Sequence, residues 1–187
     1  DPLLGGLMDD VKRLLQYAFQ TKNELTIPLS APGSAGMEAA FVNLLECGDK
    51  VIVCQNGVFG GRMKENVERC GATAIMVTDR WGDPVDPEKL EAAIKAHPDA
   101  KVVAFVHAET STGVRSDAET LCRLAKSAGM LVIVDAVTSL AGIDLKADAW
   151  GADVVYSGTQ KCLSGLPGIS PITFSDDAVS AIQARTH

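Results

Sequence analysis

Short apolar runs alternate along the chain with segments whose apolar residues recur at helical spacing. The runs predict strands at 24–30, 51–54, 72–77, 102–108, 131–135, 152–158 and 169–175. The helical spacing predicts helices at 7–21, 34–46, 60–70, 88–96, 116–128 and 176–184. Strands that are apolar throughout are typical of parallel sheets, which are buried on both faces. The predicted fold class is therefore α/β, with a mostly parallel sheet sandwiched by helices.

The 187 residues, 47% hydrophobic and 22% charged, have the composition of an ordinary globular domain. Neither a repeat nor a linker interrupts the alternation, so we expect one domain over 1–187. The net charge of −7 argues against broad binding of nucleic acid or of an anionic membrane surface. No apolar run approaches the about 20 residues of a membrane span.

The five cysteines are an odd number, and no two of them form a CxxC motif. This usage is typical of reduced thiols, so we expect a cytoplasmic protein. The three histidines form neither an HxxxH motif nor a cluster with cysteine, and the sequence therefore predicts no metal site.

In a parallel sheet, ligands bind beyond the carboxyl ends of the strands, so the residues there are the candidates for chemistry. Residues 31–36, Ala-Pro-Gly-Ser-Ala-Gly, either hold a phosphate at the start of a helix or contain a plain N-cap at Ser34. Phe59, among glycines, either stacks on a planar ligand or covers the local core. The run 107–113, His-Ala-Glu-Thr-Ser-Thr-Gly, either binds a polar ligand or forms an ordinary turn.

Two charged residues follow later strands. Asp135 comes after four apolar residues, so its charge needs a partner, either a ligand cation or a helix N-terminus. Lys161 is either a lysine that reaches solvent or an amine desolvated enough to act as a nucleophile. Pyridoxal 5′-phosphate calls for all of these features together: a lysine, a carboxylate for its pyridinium nitrogen, donors for its phosphate and a face for stacking.

Several segments of the chain resemble class V aminotransferases of fold type I, and among them the alanine–glyoxylate, serine–pyruvate and serine–glyoxylate aminotransferases. YSGTQKCL at 156–163, followed by Pro167-Gly168, resembles the family's cofactor-lysine segment. LVIVDAVTSLAG at 131–142 is similar to the strand that ends in the aspartate of the pyridinium nitrogen. Further segments match in the family's order, at 17–26, 33–40, 56–62 and 107–114.

The resemblance implies that Lys161 and Asp135 are the catalytic residues. Lys161 binds the aldehyde of the cofactor and moves a proton between the substrate Cα and the cofactor, while Asp135 pairs with the pyridinium nitrogen. Phe59 stacks on the ring, and Thr110 lies near the phenolic oxygen. The remaining cofactor-binding positions are Gly33, Ser34, Ala35 and Gln160. Of these, Gly33, Ser34 and Gln160 contact the phosphate.

The resemblance further implies transamination in a homodimer, with alanine or serine giving its amino group to glyoxylate or pyruvate. Because the family's members are longer, we expect 1–187 to be a partial cofactor-binding large domain that lacks an N-terminal segment and a C-terminal small domain. One alternative is another class V enzyme, namely an aminoethylphosphonate–pyruvate transaminase, a lyase or a desulfurase. Phe59 disfavours the desulfurase, in which His commonly stacks on the ring. The other alternative is a fragment that acts only as a binding module.

Overall fold

The computed structural model describes residues 1–186. Its strands are Leu25–Leu29 (β1), Lys50–Gln55 (β2), Thr73–Thr78 (β3), Val102–Val106 (β4), Leu131–Asp135 (β5), Val154–Tyr156 (β6) and Ser170–Phe174 (β7). Its helices are Pro2–Phe19 (α1), Gly33–Leu44 (α2), Val58–Arg69 (α3), Pro87–Ala96 (α4), Ala118–Ser127 (α5), Ala147–Trp150 (α6) and Asp176–Gln183 (α7). Each predicted strand and helix is present, and the four-residue α6 is an addition that the pattern did not predict.

The strands form one sheet in the order β1-β7-β6-β5-β4-β2-β3. β2 pairs in parallel with β3 and β4, and β5 pairs in parallel with β4 and β6. β7 is antiparallel to both of its neighbours, β1 and β6. The connection 157–169 from β6 to β7 contains no crossover helix, which a parallel pair would need. The predicted α/β class with a mostly parallel sheet is confirmed.

Two apolar layers cover the sheet. The side chains of β4, all buried, alternate between them: Val103 and Phe105 join the layer that contains α4 and α5, whereas Val102, Ala104 and Val106 join the layer that contains α2 and α3. This burial on both faces explains why the strands lack a polar alternation in the sequence. In the described residues, no helix is both long and apolar enough to cross a membrane.

Two helices begin two or more residues earlier than predicted. α1 begins at Pro2, because the Asp1 side chain accepts a hydrogen bond from the Leu3 N–H and caps the helix. α3 begins at Val58, so Phe59 lies in the first turn of a helix and not in a glycine-rich loop. The second difference matters for the site, since the first turn of α3 faces the carboxyl end of the sheet.

Candidate active site

A cavity of about 200 Å³ lies beyond the carboxyl ends of the strands, between the N-termini of α2 and α3. It brings together most of the predicted site residues, namely Gly33, Ser34, Phe59, Asp135, Gln160 and Lys161. Ala35 and Thr110 do not line it. The lining also contains side chains that the sequence analysis did not single out, namely Met37, Arg62, Val137 and Tyr156.

Asp135 ends β5 with a buried carboxylate. Its Oδ1 accepts a hydrogen bond of 2.9 Å from the Val137 N–H, and its Oδ2 accepts one of 2.9 Å from the Tyr156 hydroxyl. The pKa of Asp135 is raised to about 6, mainly by burial. Both hydrogen bonds act to lower it, and the charge of Glu109 acts to raise it. Within residues 1–186, no basic side chain forms an ion pair with Asp135. The cavity therefore presents a carboxylate that a ligand cation would stabilise.

Lys161 lies on the loop between β6 and β7 and is exposed. The sequence left open whether Lys161 reaches solvent or is desolvated, and within this chain it reaches solvent, because the loop lies at the open rim of the cavity. Backbone hydrogen bonds fix the loop: the Gly165 N–H donates to the Thr159 carbonyl, and the Ser164 N–H donates to the Lys161 carbonyl. The lysine is thus held at the cavity by an ordered backbone.

The start of α2 forms another wall of the cavity. Its N-cap is Pro32, which makes no side-chain capping bond, so the expectation of a plain N-cap at Ser34 is wrong. The amides of Gly33 and Ser34 precede the first intrahelical bond, and the helix dipole favours an anion there. The Ala35 N–H instead donates to the Pro32 carbonyl, at 2.8 Å, and is therefore not free to bind an anion.

Phe59 is half-buried, and its ring both packs against the apolar layer and lines the cavity. The alternative in which Phe59 covers the local core is therefore confirmed, and stacking on a planar ligand stays a prediction. The Arg62 guanidinium lies 4.8 Å from the ring centroid, close enough for a cation–π contact.

Thr110 is exposed, in a turn closed by hydrogen bonds from the Thr112 and Gly113 N–H groups to the Glu109 carbonyl. The turn that the sequence offered as an alternative is therefore present. Its buried member is Glu109, which the sequence analysis did not single out. The sequence around Glu109 does not indicate that its side chain is buried, since a carboxylate beside Thr and Ser is typical of an exposed turn.

Known proteins with similar sequences indicate which family combines an amine, a buried carboxylate and a helix N-terminus in this way. The model of the family described as aminotransferase class-V matches residues 5–185. The chain belongs to the class-V aminotransferases.

Individual class-V aminotransferases show the extent of the likeness. The (S)-ureidoglycine–glyoxylate transaminase of Bacillus subtilis is 37% identical over 99% of this chain and 44% of its own length. The alanine–glyoxylate aminotransferase of Rattus norvegicus is 38% identical over 96% of this chain and 43% of its own. A crystal structure of the alanine–glyoxylate aminotransferase of Nostoc sp. matches with a TM-score of 0.97 and 42% identity, over 100% of this chain and 49% of that one. The chain thus spans about half the length of the relatives it matches.

This class-V aminotransferase chain can offer a covalent attachment point, a carboxylate and an anion-binding helix start around one cavity. No cluster of His, Cys, Asp and Glu suited to a metal ion occurs in the part of the chain that the structure describes. The arrangement suits an aldehyde cofactor that carries a phosphate and a cationic ring.

Proposed function

We propose that residues 1–187 are the cofactor-binding large domain, in part, of an aminotransferase that uses pyridoxal 5′-phosphate. It moves the amino group of a small amino acid, alanine or serine, to glyoxylate or pyruvate. The observation that carries this proposal is the single cavity that joins Lys161, Asp135 and the uncapped start of α2.

Three features of the cavity fit the cofactor. Asp135 is a buried carboxylate without a cationic partner among residues 1–186, and a pyridinium nitrogen supplies one. The amides of Gly33 and Ser34 lie at an uncapped helix N-terminus, which suits a phosphate. Lys161 lines the same cavity as these two features, and its amine is the group that reacts with an aldehyde.

When bound, pyridoxal 5′-phosphate stabilises the carbanion formed at the amino acid Cα. The cationic ring would lower the pKa of Asp135 from about 6, so that its carboxylate stays charged. The charged carboxylate would in turn keep the proton on the ring nitrogen. Lys161 would hold the cofactor at its aldehyde carbon, with release of water, and once the substrate amine has displaced it, the free Nζ would carry a proton to and from the substrate Cα. Phe59 shields one face of the ring from water.

The names of the relatives support glyoxylate as the amino acceptor, since the enzymes of Bacillus, Rattus and Nostoc share it. Their amino donors differ, being ureidoglycine in one and alanine in the others. The amino acid is therefore the more variable substrate, and alanine or serine is our proposal for this chain.

We further propose that the protein works as a homodimer in the cytoplasm. Free thiols at all five cysteines are in keeping with a reducing compartment. α1 exposes a row of large apolar side chains, which a second copy would bury. We call this row the apolar face of α1; its members are Leu3, Leu4, Leu7, Met8, Val11, Leu14 and Tyr17.

Covalent trapping tests the proposed cofactor site. The chain is mixed with pyridoxal 5′-phosphate, reduced with borohydride, digested and analysed by mass spectrometry. We expect a pyridoxyl group on Lys161 at a stoichiometry near one, and its loss in Lys161→Ala. Lys95→Ala, at an exposed lysine of α4, is the control and should retain the label on Lys161. Label spread over surface lysines, or absent from Lys161, would refute the proposal.

A further inference from the structure

We propose that Glu109 is a positioning residue of the cofactor site, which fixes the first turn of α3 so that Phe59 faces the cavity. The inference rests on the proposed function, because the ring of Phe59 matters only if a planar cofactor stacks on it. Glu109 itself does not line the cavity and acts through Phe59.

Glu109 and Ser111 cap α3 from another part of the chain. Glu109 Oε2 accepts a hydrogen bond of 3.2 Å from the Phe59 N–H. Glu109 Oε1 accepts two more, of 3.0 Å and 2.8 Å, from the N–H and the hydroxyl of Ser111. Ser111 Oγ in turn accepts a hydrogen bond of 3.0 Å from the Val58 N–H. The first two amides of α3 are therefore held by the loop that follows β4.

The N-cap residue of α3 leaves room for this arrangement. It is Gly57, and a Cβ built there would lie 2.3 Å from Glu109 Cγ and 2.6 Å from Ser111 Oγ. A Ser or Asp at the N-cap would stabilise the helix start locally, but it would displace Glu109. Capping by Glu109 instead ties α3 to the end of β4, and this tie sets the position of Phe59 relative to the sheet.

The side chain of Glu109 is buried without an ion pair to a basic residue among residues 1–186. The residue is 1% exposed, and no Lys, Arg or His within residues 1–186 forms an ion pair with it. Its three hydrogen bonds and the N-terminal end of the α3 dipole stabilise its charge. A buried carboxylate supported in this way keeps one geometry, because any movement would leave its charge without donors.

The test compares Glu109→Gln with the unchanged chain, using pyridoxal 5′-phosphate as the probe. Gln keeps the shape, but its Nε2 cannot accept the hydrogen bond that one of the two Glu109 oxygens accepts. We expect the dissociation constant of the cofactor to rise about tenfold. We also expect a smaller visible circular dichroism per bound cofactor, because the ring is less firmly oriented, while borohydride still labels Lys161.

Two controls separate positioning from stability. Asp117→Ala removes the side-chain cap of α5 and lowers the melting temperature without touching α3, so its circular dichroism per bound cofactor should stay unchanged. Glu119→Gln, at an exposed position of α5, should change neither quantity. If Glu109→Gln does not fold, Glu109→Asp replaces it, since the shorter side chain cannot reach both Phe59 and Ser111.

Each outcome has one meaning. Wild-type dichroism per bound cofactor in Glu109→Gln, or an equal loss in Asp117→Ala, overturns the positioning role. Failure of the unchanged chain to label Lys161 refutes the proposed function instead. A loss confined to the Glu109 variants, with Lys161 labelled throughout, supports the inference.

Discussion

The carboxylate of Asp135 has a higher pKa in the folded chain than in the unfolded one, and stability must therefore depend on pH. The folded value is about 6, against about 4 in an unfolded chain. Between these values the folded state binds a proton that the unfolded state has lost, so the free energy of unfolding falls as the pH rises from about 4 to 6. Above pH 6 the cost of the buried charge is fully present.

Asp135→Asn should remove this cost. We expect the free energy of unfolding of the cofactor-free chain at about pH 7.5 to increase by up to about 2 to 3 kcal/mol, while cofactor affinity decreases. Urea denaturation between pH 4 and 8 measures the first effect. Asp9→Asn, at an exposed site of α1, is the control. A variant whose stability follows the wild-type pH curve would show that the carboxylate carries no such cost.

His107 produces the opposite pH dependence. It is buried beside Trp150, at a second cavity of about 410 Å³ that contains none of the predicted site residues. The pKa of His107 is lowered to about 4, mainly by burial and also by the charge of Arg115, whereas Asp117 opposes the change. Because the unfolded state binds the proton first, stability decreases as the pH falls from about 6.5 towards 4.

His107→Phe should make the protein less sensitive to acid. The ring contact with Trp150 is retained, and no buried nitrogen is left to be protonated. We compare the free energy of unfolding of the variant with that of the wild type at pH 7 and at about pH 5. The difference should shift by about 2 kcal/mol in favour of the variant at the lower pH. Denaturation curves at both pH values decide this, and an identical difference at both would contradict it.

Single residues differ in how far the sequence could predict them. Asp135 ends an apolar strand and Lys161 lies on the loop after another, and charged residues are conspicuous there. Tyr156 could not be identified, because it reads as part of an apolar run while its hydroxyl contacts a carboxylate on the neighbouring strand. Glu109 was missed for the related reason that one of its partners, the Phe59 N–H, belongs to a helix 50 residues away.

At the scale of the elements, α2 packs so closely on the sheet that Gly36 has no room for a side chain. A Cβ there would lie 2.2 Å from Ser170 Oγ and 3.1 Å from Tyr156 Cβ. Ser170 cannot rotate away freely, because its hydroxyl donates to the Ser157 carbonyl at 2.7 Å. The start of α2 is therefore positioned by close contact of its backbone with side chains of β6 and β7.

Gly36→Ala should destabilise the protein by about 1 to 3 kcal/mol, as overpacking of a core usually does. The matched control is Gly5→Ala in α1, where no atom lies within 4 Å of the added Cβ. Alanine should stabilise that helix by about 0.5 to 1 kcal/mol. Chemical denaturation of both variants measures the difference, and equal effects would show that α2 can shift away from the sheet.

The sequence predicted which strands and helices are present, but not the direction of β7 or the start of α3. Their existence follows from the apolar runs, which burial on both faces explains. The antiparallel direction of β7 could not be predicted, since its apolar residues resemble those of the parallel strands. Nor could the start of α3 at Val58, because the stabilising acceptors are supplied by Glu109 and Ser111 after β4.

The whole molecule exposes the apolar face of α1, whose row of side chains includes Leu7 and Leu14, about half exposed, on the same side of the helix. Burying such a row in an interface contributes roughly 25 cal/mol for each Å² of apolar surface. We therefore predict concentration-dependent association of the chain.

Charged substitutions test this association. The double variant Leu7→Glu/Leu14→Glu should shift the chain to monomers, because two charges would be desolvated in the interface. Arg13→Gln, at an exposed polar position of the same helix, is the control. Sedimentation velocity over a range of concentrations gives the result. A wild-type chain that is monomeric throughout would exclude this face as a self-association surface.

The pairing of β1 with β7 also has a consequence for how the chain is made. Leu29 pairs with Ser170, about 140 residues later. At a synthesis rate of about 5 to 20 residues per second, β7 is therefore synthesised roughly 7 to 30 seconds after β1. During this interval an apolar strand is available to other nascent chains. Pro28, which has no N–H group to donate, limits such pairing. The completed sheet keeps this strand at its edge, so β1 is fixed in place only after about 140 further residues have been synthesised.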